Sequence, residues 1–348
     1  GCGMLPMAIA YAQYILCGNV DGENVGENTA CNLKFEHFSH PDLHFVFPVA
    51  TTDSIKSHAV SDNFMIEWRH FLTESPYGSL FDWLKNLGIQ NKQGLIGVDE
   101  ATEINKKLSL KAYEGGYKVM IIWMADKMNG PSANKLLKLL EEPPAKTVFI
   151  LITESTSDML QTILSRCQVI DFIGLSESVI AEALVSRENC EPSLAKKIAH
   201  QSEGNYNKAL HILRKEDDEF PFDEWFVEWV RSAFRAKGNA AAINDLIAWS
   251  ENIASTGRET QKQFLHYCIH FFRQALLLNY KANDLVFLET KVPKFELEKF
   301  APFVNGANIT DIYKELEDAI YHIERNGNSK IILTDLSIKL TRLIHKNA

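Results

Sequence analysis

Residues 118–152 read KVMIIWMADKMNGPSANKLLKLLEEPPAKTVFILI, and this stretch decides the fold. It opens with a nearly continuous apolar run over 118–124 and closes with a second over 147–152. Short continuous apolar runs are typical of parallel strands that are buried on both faces. Between them, residues 132–142 have helical spacing, open on a serine and are stopped by a double proline. A strand, a helix and a second strand in succession predict an α/β layer.

The same alternation extends over residues 1–172. We predict further strands at 43–48 and 169–172, and helices at 5–17, 62–86, 99–114 and 156–165. After Phe172 only helical spacing remains. The predicted fold class is therefore α/β, a mostly parallel sheet with flanking helices, followed by all-α regions. The predicted domains are an α/β domain at 1–172, a small helical domain at 173–215 and a helical domain at 216–348.

Composition narrows the class of protein. The 348 residues carry a formal charge of −9, whereas a protein that binds DNA strongly by itself usually has a basic balance. Six cysteines are scattered along the chain, which is more typical of a reducing cytoplasm than of a disulfide scaffold. No apolar run is long enough to span a bilayer. We expect a cytoplasmic protein with no membrane partner.

Several motifs together carry a resemblance to a known family. They are ADKMN at 125–129, ANKLLKLLEEPP at 133–144, SRC at 165–167, HPD at 40–42, GNYNKAL at 204–210 and ERNGNSKIILTDLSIKL at 324–340. In order and spacing they resemble the bacterial clamp-loader subunits of the AAA+ family, and the likeness covers the whole chain. The resemblance implies a P-loop-type nucleotide-binding domain, a helical lid and a helical collar for the three predicted domains.

The resemblance places the first residues inside a phosphate-binding loop. Gly1 and Gly3 occupy its glycine positions, and Met4 and Leu5 stand where the Lys and the Mg²⁺-binding Ser or Thr are expected. Methionine carries no charge and leucine no oxygen, so phosphate neutralisation and metal binding are both expected to fail. The family's first strand is expected upstream of Gly1, so we expect part of the sheet edge to be exposed.

The remaining nucleotide-site positions are also altered. Asp126 keeps the first acidic position after the strand, but Lys127 replaces the Glu that polarises the attacking water. Asn207 stands where the lid arginine is expected, while Thr153 keeps the nucleotide-sensing position. Gly1, Gly3, Asp126 and Thr153 are therefore predicted to form a degenerate, inactive nucleotide site. This pattern resembles the non-hydrolysing, delta-prime branch of the family.

Unlike the altered nucleotide-site positions, Arg166 keeps the residue that the family carries there. In the family, the arginine of Ser-Arg-Cys reaches the ATP that is bound by the neighbouring subunit. Phosphoryl transfer spreads negative charge over the γ-phosphate oxygens, and a guanidinium supplied in trans stabilises that charge. We therefore predict that Arg166 is an arginine finger, with an ordinary surface arginine as the alternative.

A zinc site is not expected. Relatives carry four cysteines in a module after the first helix, and here Cys17 matches the first and Cys31 the last. Two thiolates are too few for a closed tetrahedral site. His37 and His40 could complete a set of four ligands, but their spacing fits no common pattern.

The resemblance implies a subunit without resident cofactor, because the ATP belongs to the neighbour. The implied partners are gamma/tau-type and delta-type subunits in a heteropentamer, the sliding clamp, and primed DNA only within the complex. Two alternatives stay open: an active gamma/tau-type ATPase, and a helical scaffold that is unrelated to replication.

Overall fold

One parallel sheet lies in the first half of the chain. The computed structural model describes residues 1–18, 29–114, 116–214, 220–288 and 292–346. Within them the strands are β1 (Leu43–Val46), β2 (Lys118–Trp123) and β3 (Thr147–Ile152), in the order β1-β2-β3. All pairing is parallel, with Leu43 opposite Val119 and Val119 opposite Val148. The predicted α/β class with helical regions is confirmed.

Helices make up most of the remainder. In chain order they are α1 (Met4–Cys17), α2 (Thr29–Glu36), α3 (Met65–Glu74), α4 (Leu80–Asn86), α5 (Val98–Ser109), α6 (Gly130–Glu141), α7 (Gln161–Leu164), α8 (Glu177–Glu188), α9 (Pro192–Gln201), α10 (Tyr206–Arg214), α11 (Phe222–Arg235), α12 (Ala240–Ala254), α13 (Arg258–Asn279), α14 (Leu297–Phe300), α15 (Ile309–Glu324) and α16 (Ser329–Leu343).

The central stretch folds into the predicted strand, helix and strand, but the second strand is less buried than predicted. β3 lies at an edge of the described sheet, and only Ile152 of it is buried. Every residue of β2 is buried, as expected for a continuous apolar strand between two neighbours. Helix α6 starts two residues earlier than predicted, because the side chain of Asn129 caps it by accepting a hydrogen bond from the Ser132 amide at 2.9 Å. The helix ends at Glu141, just before the double proline, so β3 follows after a short turn.

Three predicted elements are wrong. The helix expected over 156–165 is a 3₁₀ turn at 156–158 followed by the four-residue α7. The helix expected over 62–86 is a 3₁₀ turn followed by α3 and α4, broken near Gly78. A Cβ on Gly78 would lie 2.5 Å from the Phe71 ring, so the close approach there requires glycine. Residues 169–172 form no strand, and Ile170 is exposed. An apolar pattern supplies no pairing partner by itself, and β1, β2 and β3 pair only with one another among the described residues.

The chain divides into two units. The first comprises residues 1–89 and 94–214 and contains the sheet, and the second comprises 90–93 and 215–348. The second unit is helical, with a buried aromatic core in which the Phe226 and Phe271 rings stack at 3.9 Å. The division of the first unit at residue 172 stays a prediction.

Candidate functional site

The carboxyl ends of β2 and β3 bring Asp126 and Thr153 together. The Thr153 hydroxyl donates to Asp126 Oδ1 at 2.8 Å. Lys127 Nζ lies 3.0 Å from the other carboxylate oxygen, Oδ2. The Asp126 side chain is only 3% exposed. Both carboxylate oxygens therefore have partners within the chain.

Gly1 and Gly3 directly precede α1, and Gly1 contacts α10. Gly3 adopts a φ of 96°, in the left-handed region that favours glycine, directly before Met4 begins the helix. The Tyr206 amide donates to the Gly1 carbonyl at 3.1 Å. A Cβ on Gly1 would lie 1.9 Å from the Asn205 side chain, so the first residues are closely packed.

Very little space remains beside these residues. A cavity of about 20 Å³ is lined by residues that include Gly3, Met4, Tyr77 and Glu154. Such a volume holds about one water molecule, whereas sites for drug-sized ligands measure roughly 300–1,000 Å³. The Tyr77 ring packs edge-on against the buried Tyr206 ring, with centroids 5.0 Å apart. Tyr206 lies within the GNYNKAL motif, but neither tyrosine was predicted to lie at this site.

Glu154 lies at the edge of this cavity. Burial raises the pKa of the Glu154 carboxyl above its ordinary value. The ammonium group of Gly1 acts against this shift, whereas the Asp126 carboxylate raises the pKa further. Charges of both signs therefore surround the Glu154 carboxyl.

A second polar cluster joins α4 to α10. Asn207 Nδ2 donates to Asp82 Oδ2 at 2.8 Å, and His211 Nε2 lies 3.2 Å from Oδ1 of the same carboxylate. The Ser79 amide donates to Oδ2 at 2.7 Å. Burial alone would raise the pKa of Asp82, but the hydrogen bond and charge of His211, together with the Ser79 bonds, lower it to about 2. Asn207 thus binds its own chain. The sequence did not point to Asp82 or His211.

Arg166 lies elsewhere, two residues after α7, and is partly exposed. Its side chain is 34% exposed. Nη1 donates to the Thr162 carbonyl at 2.8 Å and to Ser165 Oγ at 3.3 Å. Nη2 donates to Glu141 Oε1 at 2.5 Å. The guanidinium is therefore held by its own chain but remains open to solvent.

Cys17 and Cys31 form a disulfide that joins the end of α1 to α2, with Cα atoms 5.6 Å apart. The expectation of reduced thiols is wrong for this pair, because the fold brings together two buried sulfurs that are distant in sequence. Bonded sulfurs offer no thiolate, so the residues do not fit a zinc site. His40 Nε2 instead lies 3.2 Å from Glu114 Oε2, and His37 is exposed. Residues 19–28, between the two cysteines, lie outside the described residues.

Two absences hold for the described part of the chain. It contains no group of three or more His, Cys, Asp or Glu side chains that could hold a metal ion. Nor does it contain a helix that is long and apolar enough to cross a membrane.

Comparison with known proteins identifies relatives. Residues 1–176 match the sequence profile of a family described as DNA polymerase III, delta subunit. The chain is 29% identical over 191 residues to the DNA polymerase III subunit delta' of Haemophilus influenzae, an alignment that covers 55% of this chain and 45% of the relative. It is also 29% identical over 220 residues to the Bacillus subtilis subunit delta', covering 63% and 52%.

A further relative is the subunit tau of Bacillus subtilis, 34% identical over 126 residues, which cover 34% of this chain and 22% of that protein. The chain thus spans about half the length of the two delta' relatives that it matches, and less of the tau protein.

Proposed function

Because the chain belongs to the DNA polymerase III delta subunit family, we propose that it is a non-hydrolysing clamp-loader subunit of the delta-prime kind. It supplies Arg166 in trans to the ATP site of a neighbouring gamma/tau-type subunit. In this proposal a heteropentamer with gamma/tau-type and delta-type subunits loads the sliding clamp onto primed DNA. The observation that carries the proposal is that the cavity beside the first residues measures only about 20 Å³ and Asp126 is paired with Lys127, while Arg166 is exposed.

Four side chains support the lack of hydrolysis. Met4 and Leu5 offer neither a charge nor an oxygen to phosphate and Mg²⁺. Lys127 cannot polarise a water as a carboxylate does, and its ammonium pairs with Asp126. Asn207 donates to Asp82 rather than to a ligand. The cavity that Met4 and Leu5 line measures only about 20 Å³, which favours neither binding nor turnover of ATP.

The chemistry of arginine supports the finger. Its guanidinium is always charged and presents a rigid fork of N–H donors that matches phosphate oxygens. In well-studied NTPases an arginine supplied in trans raises turnover by roughly 10³ to 10⁵. Arg166 stands beside Ser165 and Cys167 in the motif of the family, and its head group is open to solvent.

The domain roles follow from this proposal. Residues 1–172 form the altered nucleotide-binding-type domain, 173–215 the lid, and 216–348 the collar that holds the ring together. The Asp82 hydrogen bonds to α10 support a subunit with a fixed lid, because they fasten 173–215 to α4 without nucleotide. The subunit would act in the cytoplasm together with the replication machinery.

An Arg166→Ala variant in the reconstituted complex tests the finger. The served site is the neighbouring subunit's ATP site that would receive Arg166. Turnover at the served site is expected to fall about 10³-fold. The clamp- and DNA-stimulated ATPase rate of the whole complex should then fall by the fraction of that rate that the served site contributes. Size-exclusion chromatography should show an intact complex. Arg69→Ala is a matched control, since Arg69 is an exposed arginine whose Nε donates to the Phe38 carbonyl. Unchanged turnover in Arg166→Ala would remove the finger role.

Assays on the purified chain by itself test the alternative that it is an active gamma/tau-type ATPase. We expect no binding of a fluorescent ATP analogue in anisotropy titrations and no phosphate release in a turnover assay. Robust hydrolysis by the purified full chain would favour a gamma/tau-type ATPase. Failure to co-purify with a gamma/tau-type subunit would favour the unrelated helical scaffold.

A further inference from the structure

We propose that Glu141 is a positioning residue for Arg166. The inference rests on the finger role proposed above and goes beyond it, because it assigns a function to a residue of the helix α6 terminus. Glu141 Oε1 accepts a hydrogen bond from Arg166 Nη2 at 2.5 Å, across 25 positions of sequence. The carboxylate acts through the arginine and touches no reacting atom.

The contact restricts the guanidinium from two sides. Thr162 O accepts from Nη1 at 2.8 Å on the side of α7, and Glu141 accepts from Nη2 on the side of α6. An exposed arginine side chain otherwise has several rotatable bonds and loses rotamer freedom when it binds a ligand. Holding it beforehand removes part of that cost.

The held arginine keeps donors for a ligand. A guanidinium has five N–H groups. The contacts with Thr162, Ser165 and Glu141 use three of them, two on Nη1 and one on Nη2. The second Nη2 hydrogen and the Nε hydrogen remain for phosphate oxygens. The side chain as a whole is 34% exposed.

The location of Glu141 also favours a role beyond helix stability. It is the last residue of α6, where a negative charge meets the negative end of the helix dipole. The pairing with Arg166 offsets this unfavourable placement. Residues that contradict the local preference are expected at functional positions.

The size of the effect follows from the exposure of the pair. Both side chains are at least one-third exposed, and such ion pairs shift a conformational equilibrium by up to about fivefold. Glu141→Ala is therefore expected to lower kcat at the served site about three- to fivefold, with KM for ATP unchanged, because the arginine acts on the transition state. Glu141→Gln keeps an oxygen acceptor and should recover much of the rate.

The experiment measures steady-state ATPase of the reconstituted complex with clamp and primed DNA. The variants are Glu141→Ala, Glu141→Gln, Arg166→Ala and the double Glu141→Ala/Arg166→Ala. Glu142→Ala is the matched control, since it removes the same charge one residue further on and Arg166 pairs with Glu141. We expect Glu142→Ala to keep the parental kcat, and the double variant to match Arg166→Ala.

The outcomes separate this inference from the proposed function. If Arg166→Ala has no effect, the finger role itself fails. If Arg166→Ala lowers turnover but Glu141→Ala does not, only the positioning role fails. A rise in kcat for Glu141→Ala would show that the carboxylate competes with phosphate for the arginine, which also overturns positioning. An additional loss in the double variant would mean that Glu141 acts by another route.

Discussion

Asp126 and Arg166 are both charged, but they differ in solvent exposure and in how fully they are paired. Asp126 is 3% exposed, and both of its carboxylate oxygens are bound by Thr153 and Lys127. Arg166 is 34% exposed and keeps donors free of its contacts with Glu141 and Thr162. A buried, fully paired charge is costly to disturb, whereas an exposed pair exchanges partners easily. The first arrangement suits a structural role, and the second suits contact with another molecule.

Arg166→Lys tests whether the proposed action of Arg166 on ATP turnover needs a guanidinium or only a positive charge. Lysine keeps the charge but loses the planar fork of donors. Turnover at the served site is expected to fall about 10²-fold, or about 3 kcal/mol of transition-state stabilisation. The stimulated ATPase rate of the reconstituted complex measures it. Parental activity in Arg166→Lys would show that a point charge suffices.

Lys127→Ala tests the stability contribution of the ion pair between Asp126 and Lys127. Without its partner, the Asp126 carboxylate keeps only the Thr153 hydrogen bond in a nearly inaccessible position. We expect the free energy of unfolding to fall by about 3 kcal/mol, measured by urea denaturation of the full chain.

The control for that measurement is Lys135→Ala. Lys135 is an exposed lysine of α6 whose Nζ lies 3.3 Å from Thr102 Oγ1, and its loss should change stability by less than about 0.5 kcal/mol. Equal effects of the two variants would remove the contrast between buried and exposed pairs.

Acid titration tests the Asp82 cluster, in which the Asp82 side chain is 15% exposed. The pKa of the Asp82 carboxyl is lowered from 3.8 to about 2 in the folded chain. The folded state therefore favours the carboxylate, and its contribution is present above pH about 4 and lost as the pH falls towards 2. The expected contribution is about 2 kcal/mol.

Urea unfolding at pH 6 and pH 2.5 measures this contribution. The stability difference between the parent and Asp82→Asn should be large at pH 6 and small at pH 2.5. Asp99→Asn is the control, because Asp99 is an exposed carboxylate paired with the exposed His58 at 2.8 Å. A difference that is independent of pH would mean that the Asp82 charge does not stabilise the fold.

Glu141→Ala should have the smallest effect on stability. Its side chain is 47% exposed, so the pair with Arg166 is expected to contribute less than about 1 kcal/mol to the free energy of unfolding. Urea denaturation of the full chain measures it. A loss comparable to that of Lys127→Ala would make the Glu141–Arg166 pair structural and weaken the contrast with Asp126.

Much of the fold could be predicted from local patterns. Strands β2 and β3 are continuous apolar runs, and α6 has helical spacing between clear boundaries. Residues 169–172 show the limit of this approach, because they are apolar but have no strand pairing. Whether an apolar run becomes a strand depends on a neighbouring backbone edge, which is a non-local condition.

The candidate site was only partly predictable for the same reason. Asp126 and Thr153 follow two adjacent parallel strands, so the sequence could place them at one edge. Asp82 and Asn207 are 125 positions apart, and no local signal links them. The disulfide between Cys17 and Cys31 was missed because scattered cysteines do not reveal their pairing.

The sequence by itself determined which chemical groups are present. It shows methionine and leucine at positions 4 and 5, and it shows Arg166 within Ser-Arg-Cys. The tertiary structure alone decided which partners the side chains contact. Lys127 pairs with Asp126, Tyr77 packs against Tyr206, and Glu141 pairs with Arg166. Side-chain identity is a local property, but pairing, burial and cavity size depend on packing between segments that are distant along the chain.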